Sequence, residues 1–196
     1  MRFWGRGSAA VLSVCALAVA GGAWAQKVQA KKAAVKRANE LTLAGLRPGR
    51  DTASKAMELY KKPSNKVPQQ ESQIAWGATC EKQTLTIDLD AAKKIQVIRT
   101  TEIAWSLGDC VQTKPGTWRT GLGLRVGDST SKVAELYGKP DSRSPSTKEG
   151  QPLELWYYAF DWAGADVPQV MEVLCTREAD GKPGRVVEIT LAGPSL

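Results

Sequence analysis

Residues 120–140 read Thr120-Gly121-Leu122-Gly123-Leu124-Arg125-Val126-Gly127-Asp128-Ser129-Thr130-Ser131-Lys132-Val133-Ala134-Glu135-Leu136-Tyr137-Gly138-Lys139-Pro140. Asp128 or Ser129, just past Gly127, can accept hydrogen bonds from the first free amides of a helix. Val133, Leu136 and Tyr137 then share one helical face, Gly138 stops the helix and Pro140 prevents its continuation. The stretch predicts one short helix entered from a glycine-rich turn.

The same device is written once before. Thr42-Leu43-Ala44-Gly45-Leu46-Arg47-Pro48-Gly49 matches Thr120 to Gly127 at an offset of 78, and Glu58-Leu59-Tyr60-Lys61-Lys62-Pro63 matches Glu135 to Pro140 at 77. Two ordered matches separated by a single inserted residue indicate tandem duplication. In this earlier copy Asp51 or Thr52 can cap, Ala53, Ala56, Met57 and Tyr60 make the inward stripe, and Lys61-Lys62-Pro63 ends the helix.

Beyond each helix the spacing predicts a polar loop, residues 64–73 and 141–152, and then a change of period from helical to two. Leu85, Ile87 and Leu89 alternate with polar neighbours and Ile95-Gln96-Val97 follows a turn at Asp90. In the second copy, residues 170–176 and 185–191 flank a Gly- and Pro-rich turn, with Val187, Ile189 and Leu191 on one face. The expected fold class is therefore α+β: two tandem units, residues 42–118 and 119–196, each a short helix packed on a small antiparallel β-sheet. Two such units would cover one another's apolar surface.

Glycine, capping hydroxyl, valine, then leucine and a Gly-x-Pro exit, seen here as Gly127, Ser129, Val133, Leu136 and Gly138-Lys139-Pro140, resembles the motif of the BamE (SmpA/OmlA) lipoproteins and the β-lactamase inhibitory proteins. Its double occurrence is more similar to the tandem inhibitory proteins. The resemblance implies an α+β sheet that binds proteins through an exposed face, with no catalysis and no cofactor.

Residues 1–25 carry Arg2 and Arg6, an apolar run from Ala9 to Ala20, and small residues up to Ala23-Trp24-Ala25. That layout predicts a secretory signal peptide cut before Gln26, and the run is shorter than the roughly 20 residues a transmembrane helix needs. Leu12-Ser13-Val14-Cys15 loosely resembles a lipoprotein signal, but Val14 stands where a small residue is expected, so lipidation at Cys15 is not the expectation. The mature chain, residues 26–196, is expected to carry no transmembrane span and to be periplasmic or secreted.

The chain is +7 overall, with 27 basic and 20 acidic residues. Lys27, Lys31, Lys32, Lys36 and Arg37 concentrate the excess in a basic arm, residues 26–41. The remainder is nearly neutral, which argues against nucleic-acid binding. The arm reads as a solvated tether, or alternatively as a contact for an anionic surface through residues 26–40.

Of the mature cysteines, Cys80 and Cys110 each close a Trp-containing, strand-like run. Pairing them would close a loop of about 30 residues, worth roughly 3 kcal/mol. Cys175 reads as a small buried hydrophobe. Residues 153–162 are apolar on both parities. Trp156, Tyr158, Phe160 and Trp162 on one side, together with Trp76, form the candidate protein-binding face. The alternative is that these rings fill the junction between the units.

With no histidine, the chain lacks a Ser-His or Cys-His pair and any His-based metal site. No catalytic, cofactor or metal residues are nominated. The expected function is an exported envelope protein–protein interaction module without catalytic activity, its partner another envelope or secreted protein. The alternatives are an inhibitor of a secreted or periplasmic enzyme and a carboxylate-based enzyme of unfamiliar type.

Overall fold

The structure is a computed structural model and describes residues 40, 42–63, 71–78, 80–103, 118–161, 168–179 and 181–193. All belong to the unit formed by residues 36–196. The predicted signal peptide, most of the basic arm, Cys110 and Trp162 lie outside the described residues.

Both predicted helices form, each eight residues long: α1, Ala53–Tyr60, and α2, Thr130–Tyr137. Ser129 caps α2 by accepting the Lys132 amide, whereas Thr52 caps α1 without a side-chain hydrogen bond. The turns before the helices are built alike. Asp51 accepts the amide of Arg47 at 2.7 Å and Asp128 that of Arg125 at 2.8 Å. At the exits Lys61 and Gly138 adopt nearly the same conformation, φ 65° with ψ −159° and φ 72° with ψ −157°. The two turn–helix segments thus match locally, down to single amides.

The strands are β1 (Gln73–Ala78), β2 (Gln83–Leu89), β3 (Ile95–Glu102), β4 (Ser142–Lys148), β5 (Gln151–Asp161), β6 (Pro168–Thr176) and β7 (Val186–Ala192). They form one seven-stranded sheet in the order β1-β2-β3-β7-β6-β5-β4, antiparallel throughout. This corrects the expectation of two tandem helix-on-small-sheet units: the fold is mostly β, with one sheet and, among the described residues, two helices. The physical reason is the pairing of β3 with β7, from Val97↔Ala192 to Thr101↔Glu188. Two small sheets would each leave an inner edge of unpaired amides and carbonyls, and joining the strands through backbone hydrogen bonds removes both edges.

The sequence also concealed β4. Residues 141–152 read as a polar loop, yet Ser142–Lys148 pairs with β5 across the two-residue turn Glu149-Gly150. As the terminal strand of the sheet, β4 can be polar and can hold Pro145, which has no amide to donate to a ladder.

Register assigns the faces. Trp76, Leu85, Thr100, Ile189, Val173 and Trp156 lie in one cross-strand row, and Ile74, Ile87, Ile98, Leu191, Met171 and Tyr158 in the next. This inner face makes the main core together with Ala53, Ala56, Val133 and Tyr137 of the helices. Met57 departs from the predicted inward stripe and is 43 % exposed. Val187 also departs from its expected face. A register shift between Leu174 and Cys175 inserts it as an extra residue on β7, and it packs with Leu153 and Leu174 away from the main core.

Candidate binding face

Four of the five aromatic residues nominated for binding are described, and these four are core residues. Trp76, Trp156, Tyr158 and Phe160 are 3, 4, 0 and 2 % exposed. Their polar tips are satisfied internally: Trp76 Nε1 donates to the Lys61 carbonyl, Tyr158 Oη to the Gly138 carbonyl and Trp156 Nε1 to Glu154. Tyr137 packs against Tyr158 and Phe160 with centroids 5.7 and 6.1 Å apart, and Arg143 lies over the Trp156 ring at 3.8 Å. The physical reason is parity. These positions face the layer that holds the helices, where large rings remove the most apolar surface from water.

Alternation therefore sends Leu155, Tyr157 and Ala159 of the same strand to the other, outer face, where all three are half-buried. The outer face is continuous across the sheet. One row runs Thr86, Arg99, Thr190, Glu172, Tyr157 and Ser142, and the next Thr84, Thr101, Glu188, Leu174, Leu155 and Ser144.

One end of this face is closed by ion pairs. Lys148 Nζ, on β4, lies 2.6 Å from Glu188 Oε2 and also reaches the Thr101 hydroxyl. Three strand spacings separate β4 from β7, roughly 14 Å in a flat sheet and farther than a lysine side chain reaches. The β4–β5 hairpin must therefore curl over the outer face, making it concave there. Arg99 Nε joins the network at 3.4 Å from Glu188 and 3.3 Å from the Thr190 hydroxyl. Beneath the hairpin tip Leu153, Leu174 and Val187 form a small second core with Leu155 beside it.

A pocket at this end is lined by Glu102, Lys148, Glu149, Gln151, Leu153, Arg185 and Val187. It brings together a carboxylate from each half of the sequence, as the carboxylate-enzyme alternative would need. Glu102, however, is held by Arg185 at 2.7 Å. Two cations stand against two carboxylates, an arrangement that fastens a hairpin more readily than it moves a proton. Among the described residues no group of three or more Cys, Asp or Glu side chains could hold a metal ion, and no helix is long and apolar enough to cross a membrane.

Cys80 is disulfide-bonded and Cys175 is a free, buried thiol. Burial, with Glu154 nearby, pushes the Cys175 thiol up to about 12. Sequence reading missed Glu40, taken as the last charge of the basic arm. It is 1 % exposed, and its carboxylate accepts the amides of Thr42, Gly121 and Leu122 at 2.9–3.0 Å and the phenol of Tyr137 at 2.7 Å. No signal in a single sequence marks such a residue, because three of its four donors lie more than 80 positions away.

No protein family matches this sequence, and no curated protein does. A solved structure of a DUF4309 family protein (YjgB) from Bacillus subtilis is similar over 79 % of this chain and 87 % of that one, at 13 % identity and a TM-score of 0.43. Likeness at that level carries no argument about fold or function.

Proposed function

We propose that this protein is an exported envelope module that binds another protein and has no catalytic activity, with the outer face of its sheet as the docking surface. The observation that carries the reading is the asymmetry of the sheet. Its inner face is filled by the core beneath the two helices, whereas Arg99, Glu172, Tyr157, Ala159 and Val170 on the outer face stay half-exposed. Half-exposed aromatic, aliphatic and charged groups on a rigid sheet are what a protein partner can cover with little ordering cost. The resemblance of the two helix devices to the BamE and β-lactamase inhibitory proteins supports the same reading. Within it, Cys80 pairs with Cys110.

The test is capture from envelope extract by the wild-type protein and by Ala159→Arg, which places a long charged side chain on the outer face beside Val170. A partner captured by the wild type and lost by the folded variant supports the reading. Equal capture by both removes this face. Recovery of the protein from the periplasm or medium with Gln26 as its first residue would support export, and accumulation of the uncut chain in the cytoplasm would overturn it.

A further inference from the structure

Among the described residues, and apart from Glu102 with its partner Arg185 and Glu149 at the hairpin end, three carboxylates and two cations sit on the outer face: Asp88, Glu172 and Glu188 against Arg99 and Lys148. Both cations are committed to Glu188, and the Asp88 carboxylate accepts the Gln73 amide at 2.7 Å. Glu172 is left over. It is half-buried in the open part of the face, its register neighbours are Thr190 and Tyr157, and no cation among the described residues is paired with it.

A half-buried carboxylate loses hydration, and without a cation it recovers none of that loss. Directly opposed residues on one sheet face have Cβ atoms about 5 Å apart, so the Tyr157 ring and the Glu172 carboxylate stand side by side. The pair offers what a lysine or arginine side chain needs: an aromatic surface for its stem and a negative charge for its head. Arg99 cannot serve from within the chain, because its guanidinium is drawn to Glu188 and Thr190.

Building on the docking face proposed above, we infer that its partner is a basic protein segment that inserts a lysine or arginine between Tyr157 and Glu172. The complementarity is local. The +7 counts Arg2 and Arg6 of the leader and is otherwise concentrated in the basic arm, leaving the rest of the chain nearly neutral, so no overall field draws in a cationic ligand. Binding of such a ligand requires a site of opposite sign.

The test uses fluorescence anisotropy of labelled (Lys-Ser)4 and (Glu-Ser)4 peptides with the purified protein at about 0.15 M salt, where long-range steering is screened. The lysine peptide binds the wild type and the glutamate peptide does not. Glu172→Gln weakens binding about tenfold, Tyr157→Ala weakens it too, and Glu135→Gln on the exposed side of α2 leaves it unchanged. No binding of the lysine peptide to the wild type, or equal binding to Glu172→Gln, overturns the inference. Partner capture separates the two readings. Loss in Ala159→Arg with retention in Glu172→Gln overturns the cationic anchor and leaves the docking face standing, whereas retention in both removes the face. Concentration-dependent dimerisation abolished by Glu172→Gln would assign the site to residues 26–40 of a second copy and overturn a foreign partner.

Discussion

Tyr137 and Glu40, 97 positions apart in the chain, are joined in the interior by a hydrogen bond of 2.7 Å. The same phenol lies 2.6 Å from the Thr120 hydroxyl, which accepts the Leu124 amide. One carboxylate thus ties the segment before the first repeated turn to the second turn and to the end of α2. A charged acceptor serving four donors is worth more than a neutral one, and removing it takes an acceptor from the buried Tyr137 phenol and from the part-buried amides of Thr42 and Leu122.

Glu40→Ala is expected to lower unfolding free energy by about 3 kcal/mol, read from urea denaturation, and Tyr137→Phe by about 1.5 kcal/mol. Gly121 explains the fit. A Cβ there would lie 2.6 Å from Glu40 Oε1 and 2.8 Å from Thr42 Oγ1. Gly121→Ala should therefore cost about 2 kcal/mol, and distinctly less in the Glu40→Ala background. Strict additivity of the two losses would show that the clash is not with Glu40.

Lys61 occupies a backbone conformation that glycine adopts freely and a side-chain-bearing residue does not, and Gly138 occupies the same one in the second copy. Lys61→Gly should stabilise by about 1 kcal/mol and Gly138→Ala destabilise by about 1–2 kcal/mol. A Cβ at Gly138 meets nothing within 4 Å, so the expected cost is purely conformational. Thermal melts of the two variants moving in the same direction would refute this.

Neighbouring aromatics on β5 should behave oppositely. Trp156→Ala empties the core and is expected to cost about 3–5 kcal/mol, whereas Tyr157→Ala should cost no more than about 1 kcal/mol and act on binding instead. Chemical denaturation read beside partner capture separates the two effects. Partner loss in Trp156→Ala with unchanged stability would restore Trp156 as a contact.

Alkaline pH should weaken the fold. Burial holds the Cys175 thiol near 12, against about 9 for an exposed one, and burial with Glu40 beside it raises Tyr137 above the usual tyrosine range. The unfolded chain then releases these protons first as pH rises, so the native state holds more of them and stability falls. The Cys175 contribution is full below pH 9 and lost progressively toward 12, and Cys175→Ser should remove that part of the slope. In the folded protein at pH 8 the thiol should resist a disulfide reagent and react only on unfolding.

Turn, cap and stop residues follow one another within 22 residues, so the chain itself specified both helices, their polar entries and the kinship of Thr52 with Ser129 and Lys61 with Gly138. Alternation likewise declared β2, and residues 170–176 declared β6. Which strands lie side by side was not encoded locally. Only the β3–β7 pairing decided that two halves make one sheet, and only the register shift at Leu174 and Cys175 turned Val187 away from Ile189 and Leu191. Composition alone could not say which parity of residues 153–160 meets the helices, because both parities are apolar. Long-range hydrogen bonding chose the face, burying Trp156 and Tyr158 and leaving Tyr157 beside Glu172, which no cation among the described residues pairs.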